Sequence, residues 1–323
     1  MTAKPVGGLD VKSFIGLSKI NSKEGFLYNY IKNKYLFMLL APVLIYFIVF
    51  HYGPMYGIII AFKEFYPAKG ILGSEWIGFK NFEKLFTGLY FIPVLKNTLI
   101  ISFYKLVFGF PAPIIVCLLL NEVRKAAFKR TVQTISYLPH FISWVVLAGI
   151  VREILSPSRG SINYFIQLLG FEPIFFVADT QWFRFVLVSS AIWKEVGWQS
   201  IIYLAAVSGI NPELYDVADL DGAGRFRRIW NITIPSIIPI IIIMFILAAG
   251  SIINDDFEQI FNLLNTNVLS VGDVISTYTY REGLQQMNYS YATAVGLFKN
   301  TIALILVTFT NYLSRKYSGA SLW

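Results

Sequence analysis

The chain has little of what soluble catalytic chemistry requires. Cysteine occurs once, at Cys117 inside an apolar run, so an intramolecular disulfide framework and a cysteine metal site are both excluded. The two histidines, His51 and His140, are too few and too scattered for a zinc centre. Charged residues make up 14% of the 323, against roughly 25% in soluble domains. No G-x-x-x-x-G-K-[ST] phosphate loop occurs, so the chain supplies no nucleotide site of that kind and no cofactor site of its own is expected. Short-period repeats and low-complexity tracts are absent as well.

What is abundant is apolar. Hydrophobic residues reach 56% and mean hydropathy is +0.59, more than one soluble core of this length can hide. A soluble enzyme, a disordered chain and a fibrous chain are thereby excluded. Aromatics reach 17%, which suits interfacial belts and a ring-lined interior. Six windows approach the length of about 20 residues that spans a bilayer as a helix, namely 35–61, 93–120, 135–155, 182–210, 237–253 and 292–313. The expected fold is an all-α integral membrane protein of six transmembrane helices. Residues 1–34 lack the charged start, short apolar core and cleavage site of a signal peptide, so they read as a retained cytoplasmic extension, with 14–31 on the membrane surface. Residues 35–316 then form one membrane domain and 317–323 a short tail.

Lys and Arg orient these spans. With the N-terminus inside, the cytoplasmic segments carry fifteen of the 27, the outer loops six, and the spans or their ends the other six. That bias places both termini in the cytoplasm. Ten of the 19 acidic residues fall in outer loops, among them Asp255, Asp256, Glu258, Asp273 and Glu282. The net charge of +8 is therefore topological, and nucleic-acid binding drops out for want of a basic stripe in a soluble module. The outer loop 62–92 is expected to fold back as a short amphipathic piece, and the connection 254–291 to be long and polar.

The most informative loop is 210–235, between the fourth and fifth windows. Asn211 is an N-cap, Pro212 takes the first helical position, and Glu213 lies in the first turn. Leu214, Tyr215, Val217 and Ala218 share this helix with Asp216, Asp219 and Asp221, until Gly222-Ala223-Gly224 ends it. A second, basic helix is expected over 225–232, with Ile234-Pro235 leading back into the membrane. Helix, glycine break and helix along the membrane suit a partner's groove; a merely solvated interfacial loop is the alternative.

Asp216-Val217-Ala218, three residues, Gly222, nine residues, Ile232-Thr233-Ile234-Pro235 resembles the cytoplasmic loop of ABC-importer permeases, Glu-Ala-Ala, three, Gly, nine, Ile-x-Leu-Pro. The spacing is fully kept, with Asp for Glu, Val for Ala and Ile for Leu. The lead-in Ile210–Tyr215 and the intact Asp221-Gly-Ala-Gly resemble carbohydrate permeases. The segments NKYLFMLLAPVLIYFIVFHYGPMYGIIIAF and GSEWIGFKNFEKLF resemble the subgroup handling oligosaccharides from complex, often acidic, polysaccharides, alginate importers among them. The resemblance implies a bacterial inner-membrane subunit that pairs with a second permease. Glu213–Asp219, Asp221, Gly222, Arg225 and Pro235 would couple it to a dimer of cytoplasmic ATPases that hold ATP and Mg. An extracytoplasmic binding protein would deliver the sugar.

Saccharide recognition combines amides and carboxylates with aromatic faces. Two clusters supply that mixture: Trp193, Trp198, Gln199 and Ser200 in the fourth window, and Asn254, Asp255 and Asp256 after the fifth. In sugar permeases the helices before and after the coupling loop carry substrate contacts, so these residues are the expected pathway. Interface anchoring remains the alternative for the tryptophans, an ion pair or backbone role for Lys194 and Glu195, and a solvated outer patch for residues 254–256. His51 and His140 read as kink residues and Arg152-Glu153 as a local pair. Gly149, Ala148 and Gly250 permit close helix approach. Two other function classes compete: a secondary transporter, which should carry a membrane charge relay or inverted repeats, and an intramembrane enzyme, which should carry ligand-spaced acids or histidines.

Overall fold

The computed structural model describes residues 33–250 and 255–318, so the expected surface segment 14–31 lies outside the described residues. Helix dominates; the described strands are a two-residue antiparallel pair, Lys63–Glu64 with Glu75–Trp76. The chain divides into two compact units, one ending at Ile58 and one starting at Ile59. Four helical segments are long and apolar enough to cross a membrane: Lys34–Phe62, Phe91–Asn121, Arg225–Gly250 and Tyr289–Lys316. The most apolar window of the first buries none of its residues.

The other two expected spans differ from simple rods. Window 135–155 is two helices, Ala126–Phe141 and Trp144–Ile154, bent by 111° at the break; counted together they would make a fifth span. Window 182–210 is one 26-residue helix, Phe183–Ser208, which falls outside that set. At about 1.5 Å per residue it is long enough to cross. Its polar content reflects its place in the core: ten of its residues are buried, among them Phe183, Leu187, Lys194 and Tyr203.

Three long helices contain a π turn that ends two residues before a proline: Ile48–Tyr52 before Pro54, Lys105–Gly109 before Pro111, and Ile229–Thr233 before Pro235. Proline has no N–H to donate, and its ring crowds the carbonyl four residues back. Widening the preceding turn moves that carbonyl aside and lets the helix continue. This corrects the loop's second half. Residues 225–232 are not a separate surface helix but the first turns of the continuous helix Arg225–Gly250.

The connection after residue 254 also departs from a polar loop. It contains helices Phe257–Leu263 and Ile275–Tyr280, and Ile260, Leu263, Val268 and Val274 join the main core with Phe183 and Leu187. One ion pair lies within it: Arg281 Nη2 is 2.5 Å from Asp273 Oδ2, and that contact holds the guanidinium above its usual range. Loop 62–92 folds as expected, with a short amphipathic helix, Lys80–Thr87, anchored by buried Asn81 on the Ala61 carbonyl at 2.9 Å.

Candidate functional site

The loop helix Glu213–Leu220 is built from local chemistry. Asn211 Oδ1 accepts from Glu213 N at 3.1 Å, satisfying one of the free N–H groups of the first turn. At the other end Gly222 takes φ +70°, the Ala223 amide reaches the Ala218 carbonyl at 2.8 Å, and the Gly222 amide reaches Asp219 O at 3.1 Å. Together these bonds form a Schellman cap, whose left-handed residue is glycine at little steric cost.

The loop helix is fastened to the helix that follows it. Tyr215 Oη and Thr233 Oγ1 lie 2.9 Å apart, Arg228 pairs with Asp219, and Arg225 lies 3.8 Å from Glu122 at the end of the Phe91–Asn121 helix. Leu214, Val217 and Leu220 remain exposed, as do Glu213, Asp216 and Asp221. Ala218 is half-buried, and Pro235 stands exposed two residues beyond the π turn.

A cavity of ≈ 320 Å³ opens between the helices Phe91–Asn121, Phe183–Ser208 and Arg225–Gly250. Of the residues expected on the pathway, Gln199, Asp255 and Asp256 line it; so do Glu195, read from sequence as an ion-pair or backbone residue, and Lys105 and Trp144, which sequence reasoning did not single out. Trp198 stacks on His140, with ring centroids 4.5 Å apart and planes at 4°. Trp193 is exposed outside the cavity lining, and Ser200 is buried with its hydroxyl turned to the Gly197 carbonyl at 2.6 Å. Asn254 lies outside the described residues.

The charges at the cavity are compensated. Asp255, whose side chain is 1% exposed, receives Lys299 at 2.6 Å and the Ser276 amide at 2.9 Å. Asp256 receives Lys105 at 2.7 Å. The pair is therefore no free acidic patch at an outer entrance. Glu195 bonds His140 Nδ1 at 3.0 Å, and Lys194 donates to the carbonyls of His140 and Ile142, groups freed where the 111° bend interrupts the helix, and to that of Pro139, which also accepts from the Ile142 amide. Arg152 and Glu153 do not pair with each other. Arg152 donates to Asn262 O, while Glu153 lies 3.6 Å from Arg159.

These partners were hidden because they sit far apart in sequence: Lys105 and Asp256 are separated by 151 residues. The available signal was six cations within or at the ends of apolar windows, each needing a partner in a bilayer.

The sequence pattern of the binding-protein-dependent transport system inner membrane component family matches residues 106–319. The chain is 44% identical over 305 residues to the polygalacturonan/rhamnogalacturonan transport system permease protein YteP of Bacillus subtilis (strain 168), covering 94% of this chain and 95% of that protein. Identity to protein LplB of the same organism is 45% over 292 residues, 90% and 92% of the two chains. Two crystal structures share its fold. One is a bacterial ABC transporter involved in the import of the acidic polysaccharide alginate (TM-score 0.85, 43% identity, 91% of this chain and 100% of that chain). The other is a bacterial alginate ABC transporter in complex with alginate pentasaccharide-bound periplasmic protein (TM-score 0.86, 41% identity, 93% and 100%). The expected resemblance to ABC-importer permeases holds across nearly the whole sequence, and the chain belongs to the family of inner membrane components of binding-protein-dependent transport systems.

Proposed function

We propose that this chain is the permease subunit of an ATP-driven importer that brings an acidic oligosaccharide into a bacterial cell across the inner membrane. The observation that carries the proposal is mechanical. Helix Phe183–Ser208 lines the cavity at Ala191 and Gln199 and leads directly into the loop helix, while helix Arg225–Gly250 lines it at Ala248 and is bonded to the loop helix at Thr233. Movement of the loop helix is thus transmitted to both cavity walls.

In this reading six helices cross the bilayer with both termini cytoplasmic, Phe183–Ser208 and the bent pair completing the four apolar spans. Glu213, Leu214, Asp216 and Val217 present the loop helix to one of two cytoplasmic ATPases, which hold ATP and Mg. A second, homologous permease closes the other side of the pathway. An extracytoplasmic binding protein hands over the sugar, and ATP binding drives the cavity from inward-facing to outward-facing. The acidic class is supported by relatives named for polygalacturonan, rhamnogalacturonan and alginate import. The test is co-expression with a candidate second permease and ATPase, followed by uptake assays across a panel of acidic and neutral oligosaccharides. Preferential uptake of oligo-uronates supports the proposal; uptake of neutral sugars alone refutes the acidic class.

A further inference from the structure

Five of the six cations within or at the ends of the apolar windows can be sorted by what holds them. Arg152 and Lys194 are spent on backbone carbonyls, and Arg184 on Asn97 and a carbonyl. Lys299 serves a carboxylate that is 1% exposed. Lys105 is different.

It is the cation that lines the ≈ 320 Å³ cavity among the described residues. Its ammonium has three donors. One meets Gln259 Oε1 at 2.5 Å, and Gln259 is itself fully buried and fixed by bonds to Leu187 O at 2.6 Å and Ser190 Oγ at 2.8 Å. A second meets Asp256, whose side chain is 53% exposed. The ammonium is therefore held in place on one side by a buried amide, while its counter-charge is half-exposed to solvent.

We propose that Lys105 is the specificity-determining contact for the substrate's carboxylate, and that Asp256 is the placeholder which that carboxylate displaces. This rests on the reading of the chain as an importer subunit for acidic oligosaccharides. The exchange keeps the charge on Lys105 balanced. The released Asp256 returns to water at small cost because it is already half-exposed. Asp255 cannot play the same part: releasing it would leave a buried carboxylate and Lys299 both unpaired.

The two members of the pair should then act with opposite sign, which a merely structural ion pair would not produce. The full transporter with its binding protein is assayed for uptake of an oligogalacturonate and an oligoalginate, each beside its carboxyl-reduced neutral analogue. Lys105→Gln should raise KM for the acidic sugars by about ten- to a hundredfold, the size of one charge-assisted hydrogen bond, and leave neutral uptake nearly unchanged. Lys105→Arg should retain the acidic preference. Asp256→Asn should lower KM for the acidic sugars, since the competitor is gone. Binding-protein-stimulated ATPase activity reports that each variant is assembled. Equal loss on both sugar classes in Lys105→Gln and Asp256→Asn, or an acidic preference that survives Lys105→Gln, overturns the assignment of Lys105 and leaves the importer reading standing. A wild type with no preference for acidic sugars overturns the substrate class and this inference with it.

Discussion

The hydroxyls of Tyr215 and Thr233 lie 2.9 Å apart, and through them the loop helix is tied to the first turns of the helix Arg225–Gly250. Thr233 is 1% exposed and closes the π turn that precedes Pro235, so the contact sits where that helix is least regular. A force on the loop helix is delivered there.

Breaking that contact should loosen coupling without preventing insertion. Tyr215→Phe or Thr233→Val removes a hydrogen bond of about 1 kcal/mol, so the sugar imported per ATP should fall by about fivefold. The double variant should be no worse than either single one, because one interaction is lost in all three. Parallel measurement of uptake and ATP hydrolysis checks this; additive losses would show that the two residues act separately.

The glycine cap and the acidic first turn make a second prediction. Gly222 stands at φ +70°, where a side chain is strained and proline cannot go. Gly222→Pro should distort the cap, and Asp216→Lys should reverse charge on the exposed face, each uncoupling ATP hydrolysis from uptake while membrane insertion stays normal. Unchanged coupling in both variants would remove the loop helix from the mechanism.

Two glycines of the core helices should respond in opposite ways. A Cβ on Gly197 would overlap the Ser136 carbonyl, whereas one on Gly149 meets nothing within 4 Å. Gly197→Ala should destabilise by about 1–3 kcal/mol through overpacking, and Gly149→Ala should be neutral or better because alanine favours helix. Thermal unfolding of the purified complex measures both. Lys194→Met should lower Tm as well, since it leaves the His140 and Ile142 carbonyls at the 111° bend without their donor.

How much of this was legible in the sequence depended on how far apart the interacting groups lie. The loop helix could be read because Asn211, Pro212 and Gly222 act on their own neighbours within a turn or two. The bend after Phe141 could not, because a hydropathy window reports how apolar a segment is and not its direction, and the lysine that stabilises the bend is more than 50 residues away. Polar residues 255–291 suggested a loop, yet Asp273, Thr277 and Arg281 satisfy one another and leave Ile260, Leu263 and Val274 free to join the core. Ser200 was expected on the pathway from its neighbours, but helical periodicity turns it into the core, two positions from Trp198 on the exposed side.

Cysteine labelling separates these positions. Gln199→Cys and Asp256→Cys, at the cavity, should react with a small hydrophilic thiol reagent and be protected during transport. Ser200→Cys, at a position 0% exposed, should stay unlabelled, as should native Cys117. Labelling at Ser200 equal to that at Gln199 would place the pathway on another face of the helix.

The central claim is that this chain forms a pathway worked by partner ATPases rather than by itself. Its most direct test is uptake of an oligo-uronate by proteoliposomes containing the assembled transporter, with ATP, the binding protein and an imposed ion gradient each varied in turn. The account predicts uptake that requires both ATP and the binding protein and ignores the ion gradient. Uptake driven by the gradient without ATP would contradict it and make the chain a secondary transporter.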